Sequence, residues 1–409
     1  MRKISRLFVV LALIFSLTQG IAFAQVTLVP VDPQDKKQEI LGFLEAHPEL
    51  ITKFHDLISI FYGIENTYVD EKSKEEIADL AMKGMVSGLD PYSRLMIGQE
   101  AIDATKSFGT EDKYVGVGMS IMKLGRECVI TSVFKNSPAQ KAGLEPGDFI
   151  LKVDKRDVSD LSSSEIVNMV KGDAGTAVYI EVTSKRFQKP RTFLLTRANV
   201  IYASVDTTDL GKYGYVKINH FVEETPNRIK EALEQFRDKK GLVLDLRDNP
   251  GGLVVSVNEI IGFFVGKGQT TIITKGRMEQ FNDELKTDVE RNKYPAKVVV
   301  LVNNFSASAS EILAGNLQYY KVAKVLGVRT FGKAVGQSTW TVAYDDKGNI
   351  RLFLALTTFR YFLPDGRSIS DTGVVPDAEV EQPENFRIYQ YGTKKDRQLQ
   401  EAIKFLKKK

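Results

Sequence analysis

The 409-residue chain has one cysteine and three histidines, and each scarcity excludes something. A lone Cys128 rules out an intramolecular disulfide, so the fold must be held by its hydrophobic cores. Cys128 also lies in an apolar alternating run, which reads as a packed strand position rather than a nucleophile. His47, His55 and His220 are scattered, and neither H-E-x-x-H nor C-x-x-C spacing occurs, so no metal site is expected. No charge sign dominates: 56 basic against 52 acidic residues leave +4, too weak a bias to argue for nucleic acid. Beyond the N-terminus no apolar run is long enough to span a membrane.

What is present is ordinary globular material, 43% hydrophobic, over a length that suggests roughly two or three domains. The N-terminus reads as a targeting segment. Arg2, Lys3 and Arg6 precede an apolar run from Leu7 to Leu17, and Ala22-Phe23-Ala24 supplies a small-x-small cleavage site before Gln25. The run is shorter than the roughly 20 residues of a spanning helix, which favours a signal peptide over residues 1–24 that is cleaved. The expected location is therefore exported, periplasmic or extracytoplasmic; an uncleaved signal would leave the protein membrane-associated.

Residues 36–107 are helical in pattern, within an N-terminal helical region taken as 25–110. Leu41, Phe43, Leu44, Leu50, Phe54, Leu57, Ile58 and Phe61 recur at helical spacings, and a second run from Lys74 carries Ile77, Leu80, Ala81 and Met85 before Gly88. Asp90-Pro91-Tyr92-Ser93 then marks a turn. The stretch reads as a helical scaffold, and such an apolar arm is suited to homodimer formation. Residues 111–198 change to short β-type runs, Val115–Ile121, Cys128–Val133, Phe149–Val153, Val178–Val182 and Thr192–Leu195, with a helix over Ser163–Val170. They read as a small self-contained β-rich domain. Over residues 199–385, strands at Gly214–Ile218, Gly241–Leu246, Lys297–Val302 and Lys324–Gly327 alternate with helices at Pro226–Phe236, at Val254–Phe264 and from near Ser308. That predicts an α/β layer with a mostly parallel sheet, whose chemistry belongs in the loops at strand C-termini. Residues 386–409 are expected to be a C-terminal helix.

Two such loops hold Arg247-Asp248-Asn249-Pro250-Gly251-Gly252 and the cluster Ser306-Ala307-Ser308-Ala309-Ser310-Glu311; Thr330-Phe331-Gly332-Lys333-Ala334-Val335-Gly336-Gln337 follows, with no histidine between. A peptide-cleaving serine needs a base within hydrogen-bond reach, and lysine can serve if burial lowers its pKa toward neutrality. A serine at a helix N-terminus has its oxygen in the positive end of the helix dipole. Three serines compete for that role, and each one alone is equally readable as an N-cap. A Ser–His–Asp arrangement through His220 is the weaker rival.

The ordered series Tyr114-Val115-Gly116-Val117-Gly118-Met119, Ser137-Pro138-Ala139, Ala142-Gly143-Leu144 and Pro146-Gly147-Asp148-Phe149-Ile150 resembles a PDZ domain of the bacterial, protease-associated kind. The resemblance implies that an extended peptide adds a strand beside Val117–Ile121, its terminal carboxylate held by main-chain N–H groups of Gly116, Val117, Gly118 and Met119. Asp245-Leu246-Arg247-x-Asn249-Pro250-Gly251-Gly252, the serine cluster, Thr330-Phe331-Gly332-Lys333-x-x-x-Gln337, Pro364-x-Gly366-Arg367, Gly373-Val374-Val375-Pro376-Asp377 and the earlier Leu89-Asp90-Pro91-x-Ser93 together resemble the C-terminal processing peptidases, or tail-specific proteases. The likeness covers roughly residues 40–406.

That resemblance implies an α/β core of the crotonase/Clp-protease kind and a serine endopeptidase without cofactor, acting on protein or peptide substrates with free C-termini, with or without an adaptor protein. It places the nucleophile at the middle serine, 25 residues before the lysine, hence Ser308. Lys333 is then the base and Gln337 its orienting partner. The N–H of Ala309, with one from Gly251 or Gly252, forms the oxyanion hole. The chain departs from the family pattern twice: Ala334-Val335-Gly336 stands where glycine usually follows the lysine, and Lys171-Gly172 where Arg-Gly usually follows the PDZ helix. The alternative is a catalytically silent PDZ peptide-binding scaffold.

Overall fold

The computed structural model describes residues 33–107, 113–134, 136–201, 203–292, 294, 297–384, 386 and 391–408, so the targeting segment read over 1–24 lies outside the described residues. The chain forms two compact units. One comprises described residues up to 107 with 275–282 and 335–360; the other comprises 113–274, 283–334 and 361–408.

In the first unit, helices Pro33–Ala46, Ile51–Thr67, Lys74–Ser87 and Gln99–Ser107 follow the helical periodicity. The third starts where it does because the Ser73 hydroxyl accepts the Glu76 N–H while the Glu76 carboxylate accepts the Ser73 N–H, satisfying two end-of-helix donors at once. The apolar stripe of the first two helices is not covered within the described chain: Ile40, Leu41, Phe43, Phe54, Leu57 and Ile58 are each 41–60% exposed. A long hairpin, Val335–Tyr344 with Ile350–Phe362, follows later in the sequence, and Arg94–Ile97 pairs antiparallel with its second strand. Among the described residues no helix is long and apolar enough to cross a membrane.

The second unit contains the β-rich domain. The single strand expected over Val115–Ile121 is two, Lys113–Gly116 and Met119–Leu124. Gly118 breaks it with φ +80, and a Cβ there would lie 2.1 Å from Ser137 Cβ. Met119–Leu124 is an edge strand that pairs with Glu127–Val133; Phe149–Val153, Ala177–Thr183 and Arg191–Thr196 complete the sheet, with Arg156–Asp157 pairing off Phe149–Val153. Lys113–Gly116 and Ala198–Ile201 pair antiparallel, so the chain enters and leaves the domain through one two-stranded ladder. The Ser163–Val170 helix begins at a Ser162/Glu165 reciprocal cap and ends on Arg197, which donates to the Met169 and Val170 carbonyls. Gly172, which keeps the family's glycine after the departing Lys171, lies against that guanidinium: a Cβ there would be 2.9 Å from Arg197 Nε.

The rest of this unit is a six-stranded sheet ordered Val205–Asp209, Tyr213–Ile218, Gly241–Asp245, Val298–Val302, Ala323–Gly327 and Ala378–Glu379, parallel apart from the first. Gly241–Asp245 and Val298–Val302 are buried at every position, because helices cover both faces. On one face Ile229, Leu233, Ile260, Phe264, Ile312 and Leu317 pack on Val216, Leu244 and Val300. On the other, Leu399, Ala402 and Leu406 of the Arg397–Lys407 helix cover Tyr215, Val243 and Leu301. Each fully buried aliphatic side chain contributes about 1.5–3 kcal/mol, which rigidifies the two strands whose C-terminal loops carry the candidate site.

Candidate active site

After Val302 the chain turns through Asn303–Ser306. The Asn303 N–H donates to Ser306 Oγ (2.9 Å), whose hydroxyl donates to the Leu246 carbonyl (2.8 Å). Ser310 Oγ donates to the Asn249 carbonyl (2.9 Å). Both serines are fully buried, so their hydroxyls tie the serine turn to the loop after Gly241–Asp245. Ser308 differs. It is partly exposed, sits at the N-cap of the Ala309–Tyr319 helix, and has φ 55, ψ −116. A non-glycine residue held at positive φ costs of order 1–3 kcal/mol and persists only where its surroundings over-determine it.

Glu311 supplies that over-determination. Its Oε2 accepts the N–H of Ser308 (2.9 Å) and the N–H of Lys333 (2.9 Å), while Oε1 accepts the Thr330 hydroxyl (2.6 Å) and the Gly332 N–H (2.7 Å). Burial pushes the Glu311 carboxyl up, against these four hydrogen bonds, which favour the ionised form. In the sequence, Glu311, which joins the serine helix to the lysine loop, stands only at the end of the serine motif. The signal that marks it is an acidic residue three positions after the candidate nucleophile, on the first helical turn, where the dipole favours negative charge. Lys333 is half-buried and its carbonyl accepts the Tyr361 hydroxyl. Gly332 has φ +92 and a Cβ there would meet the Asp371 backbone at 3.0 Å, so glycine is required before the lysine.

The opposing wall is the loop Arg247–Gly252. Asn249, fully buried, donates to the Ile218 carbonyl, accepts the Ala307 N–H at its own carbonyl, and accepts the Gly251 N–H at Oδ1 (2.8 Å). A Cβ on Gly251 (φ +107) would lie 2.8 Å from Ser308 Cβ and 3.0 Å from the Ala309 nitrogen, so Gly251, Ser308 and Ala309 are brought together. Gly252 (φ +143) instead packs against Phe221, whose carbonyl a Cβ would meet at 2.1 Å. The loop is anchored by Arg247, which is completely buried. Its guanidinium bonds Asp245, both oxygens of Asp396 (2.9 and 2.8 Å) and Gln398, and lies 3.8 Å from the centre of the Tyr391 ring. Burial would raise the Asp245 carboxyl, but the Arg247 and Lys217 charges and hydrogen bonds win and hold it at about 2. Next to this network a cavity of about 650 Å³ is lined by Thr131–Phe134 from the β-rich domain and by Lys217, Asn219, Asp248 and Tyr391 from the sheet loops.

Gln337 lies in the first unit, four residues after Lys333, at a register shift in the Val335–Tyr344 strand. Its Nε2 donates to Thr357 Oγ1 (3.0 Å). Gly336, beside it, is required by packing: a Cβ there would meet the Phe359 ring at 2.1 Å. In the β-rich domain Gly116, Val117 and Gly118 are buried and Met119, half-buried, begins the edge strand. The Val117 and Gly118 carbonyls are taken by Ala139, Phe134 and Ser137. Cys128 is buried in the strand Glu127–Val133, and burial pushes its thiol up to about 11. His220 follows the Tyr213–Ile218 strand, and its carbonyl accepts the Thr225 hydroxyl.

A family description for peptidase family S41 matches residues 212–380, and one for a PDZ domain matches residues 129–183. A probable CtpA-like serine protease of Staphylococcus haemolyticus is 32% identical over 349 residues, covering 84% of this chain and 68% of that one. The chain belongs to peptidase family S41. Another relative, a carboxy-terminal-processing protease of Bartonella bacilliformis, is 32% identical over 332 residues, 79% of this chain and 74% of its own. Among solved structures, the photosystem II D1 C-terminal processing protease matches with a TM-score of 0.56 and 26% identity over 80% of this chain and 93% of that one. The S41 chain thus combines a mixed α/β fold with a PDZ domain, in a family of C-terminal processing serine proteases.

Proposed function

We propose that this S41 protein is an exported serine endopeptidase that takes protein substrates by their C-terminal tails and cuts them with a Ser–Lys–Gln set. The observation that carries the reading is the Glu311 carboxylate, which holds the main chains of Ser308 and Lys333 on one oxygen. Ser308 attacks the scissile carbonyl, neutral Lys333 takes its proton and later returns one to the leaving amine, and Gln337 orients the lysine amine. The Ala309 N–H and one glycine N–H stabilise the oxyanion; the claim of Asn249 on the Gly251 N–H favours Gly252. No cofactor takes part. Its sheet is read as crotonase/Clp-protease-like, in keeping with the parallel order of its strands.

The domain division proposed is a signal peptide over 1–24, a helical region over 25–110, the PDZ domain over 111–198, the protease core over 199–385 and a C-terminal helix over 386–409. Substrate tails add to the free edge of Met119–Leu124, their carboxylates at the Gly116–Met119 loop. The exposed apolar face of residues 40–58 fits a homodimer through the helical region; an adaptor and, with an uncleaved signal, membrane association belong to the same reading. The test is cleavage of an unfolded protein with an apolar free C-terminus. Ser308→Ala and Lys333→Arg should each abolish it, since arginine cannot deprotonate near neutrality. Joining Gly116 to Ala198 by a short turn should abolish tail-dependent cleavage while sparing short peptides. A folded, active Lys333→Arg protein would remove lysine from the mechanism.

A further inference from the structure

The turn Leu89-Asp90-Pro91-x-Ser93 has no role in the chemistry so far, yet its hydrogen bonds run to Gln337. Asp90 Oδ1 accepts the Tyr92 and Ser93 N–H groups (2.7 and 2.8 Å), and Oδ2 accepts the Ser93 hydroxyl (2.7 Å). The turn is fastened to the strand Ile350–Phe362 at Thr357: the Thr357 N–H donates to Ser93 Oγ (3.1 Å), and the Thr357 hydroxyl donates to Asp90 Oδ1 (3.2 Å). Thr357 is in turn the cross-strand partner of Gln337 and accepts its Nε2 hydrogen (3.0 Å).

A hydroxyl has one hydrogen. With that hydrogen given to a carboxylate, Thr357 Oγ1 can only accept, so the Gln337 carboxamide must turn its NH2 group toward Thr357 and its oxygen away. The register shift between Gly336 and Gln337 falls at this point, as bulges do where a side chain is re-aimed. We propose that Asp90 and Thr357 are positioning residues that fix which way round the Gln337 carboxamide sits, so that its oxygen is what the lysine amine meets. The inference rests on the reading of Lys333 as a base oriented by Gln337.

The orientation matters because a neutral amine has two N–H donors and one lone pair. A carboxamide oxygen accepts one N–H and leaves the lone pair for the Ser308 proton. A carboxamide NH2 would donate into the lone pair and occupy the base. A Gln337 free to turn over would therefore spend part of its time blocking the step it serves, which lowers kcat and leaves substrate binding alone.

The test is a double-mutant cycle on the full chain with a short peptide substrate. Thr357→Val, which keeps the β-branched shape and removes the hydroxyl, should lower kcat at least about tenfold with KM within about twofold, and Thr357→Ser should recover most of it. Thr357→Ala, equally without the hydroxyl, must show the same loss. In a Gln337→Ala background Thr357→Val should cost nothing more. An equal cost in both backgrounds, or no cost in the parent, overturns the proposal. If Gln337→Ala is itself fully active, the reading of Gln337 fails first; an impaired Gln337→Ala beside an unaffected Thr357→Val sinks the proposal alone.

Discussion

Ser308 and Lys333 donate their main-chain N–H groups to the same oxygen, Glu311 Oε2, each at 2.9 Å. Their backbones are therefore separated by no more than two hydrogen bonds laid end to end, although one residue opens a helix and the other lies on a loop 25 residues later. A buried carboxylate makes a stiff gauge: it costs desolvation unless all its lone pairs are filled, and here two donors fill each oxygen.

Glu311→Gln tests the gauge. An amide keeps the shape but puts an NH2 group against one of the two donor pairs, either Ser308 with Lys333 or Thr330 with Gly332. The expected result is a folded protein with kcat lower by about a hundredfold and KM little changed, because misplacement by about 1 Å is enough for such a loss. Peptidase assays with melting curves on the same preparation check it, and full activity would show that the gauge is not needed.

The two flanking serines should behave unlike Ser308. Ser310→Ala removes one bond to a carbonyl that also accepts the Ala307 N–H, and should cost about 1 kcal/mol of stability. Ser306→Ala leaves the buried Asn303 N–H without its acceptor and should cost about 1–3 kcal/mol. Both should still cleave once folded, whereas Ser308→Ala should lose about 10⁴–10⁶ in rate. Urea titrations and a cleavage assay separate the three, and equal inactivation of all of them would contradict the assignment.

Acid should attack the anchor of the Arg247–Gly252 loop. The folded Asp245 carboxyl, at about 2, lies below its ordinary 3.8. Its stabilisation is therefore complete above about pH 4 and is lost as the pH falls from there through the folded value. The urea midpoint should drop across that window. Asp396→Asn, which leaves Arg247 with one carboxylate partner, should cost about 3–5 kcal/mol at neutral pH. A midpoint that stays level from pH 4 to 2 would argue that Asp245 is not held by the arginine.

What could be read from the sequence was local. The Ser163–Val170 helix carries its own Ser162/Glu165 start, and the strand Val298–Val302 is an unbroken apolar run, so both are predicted from their residues. The break at Gly118 is not, because it depends on Ser137, 19 residues away, filling the space a side chain would need. The hairpin Val335–Phe362 escaped for another reason: its half-buried residues alternate weakly and its register slips three times, which blurs a period of two. In the candidate site, the spacing of Ser308 and Lys333 is visible in the chain, and so are the glycines. The roles of Glu311 and Asn249 are not, since each acts through main-chain groups that no side-chain pattern encodes. Likewise Arg247 and Asp396 are 149 positions apart, and nothing local announces the pairing.

That separation has a consequence for the order in which the enzyme comes into being. Ser308, Lys333 and Gln337 all precede Asp396 in the chain, yet the arginine at the base of the Arg247–Gly252 loop has only half its counter-charge until Asp396 is in place and the Arg397–Lys407 helix docks over the sheet. A chain halted near residue 390 holds every candidate catalytic side chain, but its Arg247 keeps Asp245 alone as a carboxylate partner. It also lacks the helix whose Leu399, Ala402 and Leu406 cover Tyr215, Val243 and Leu301.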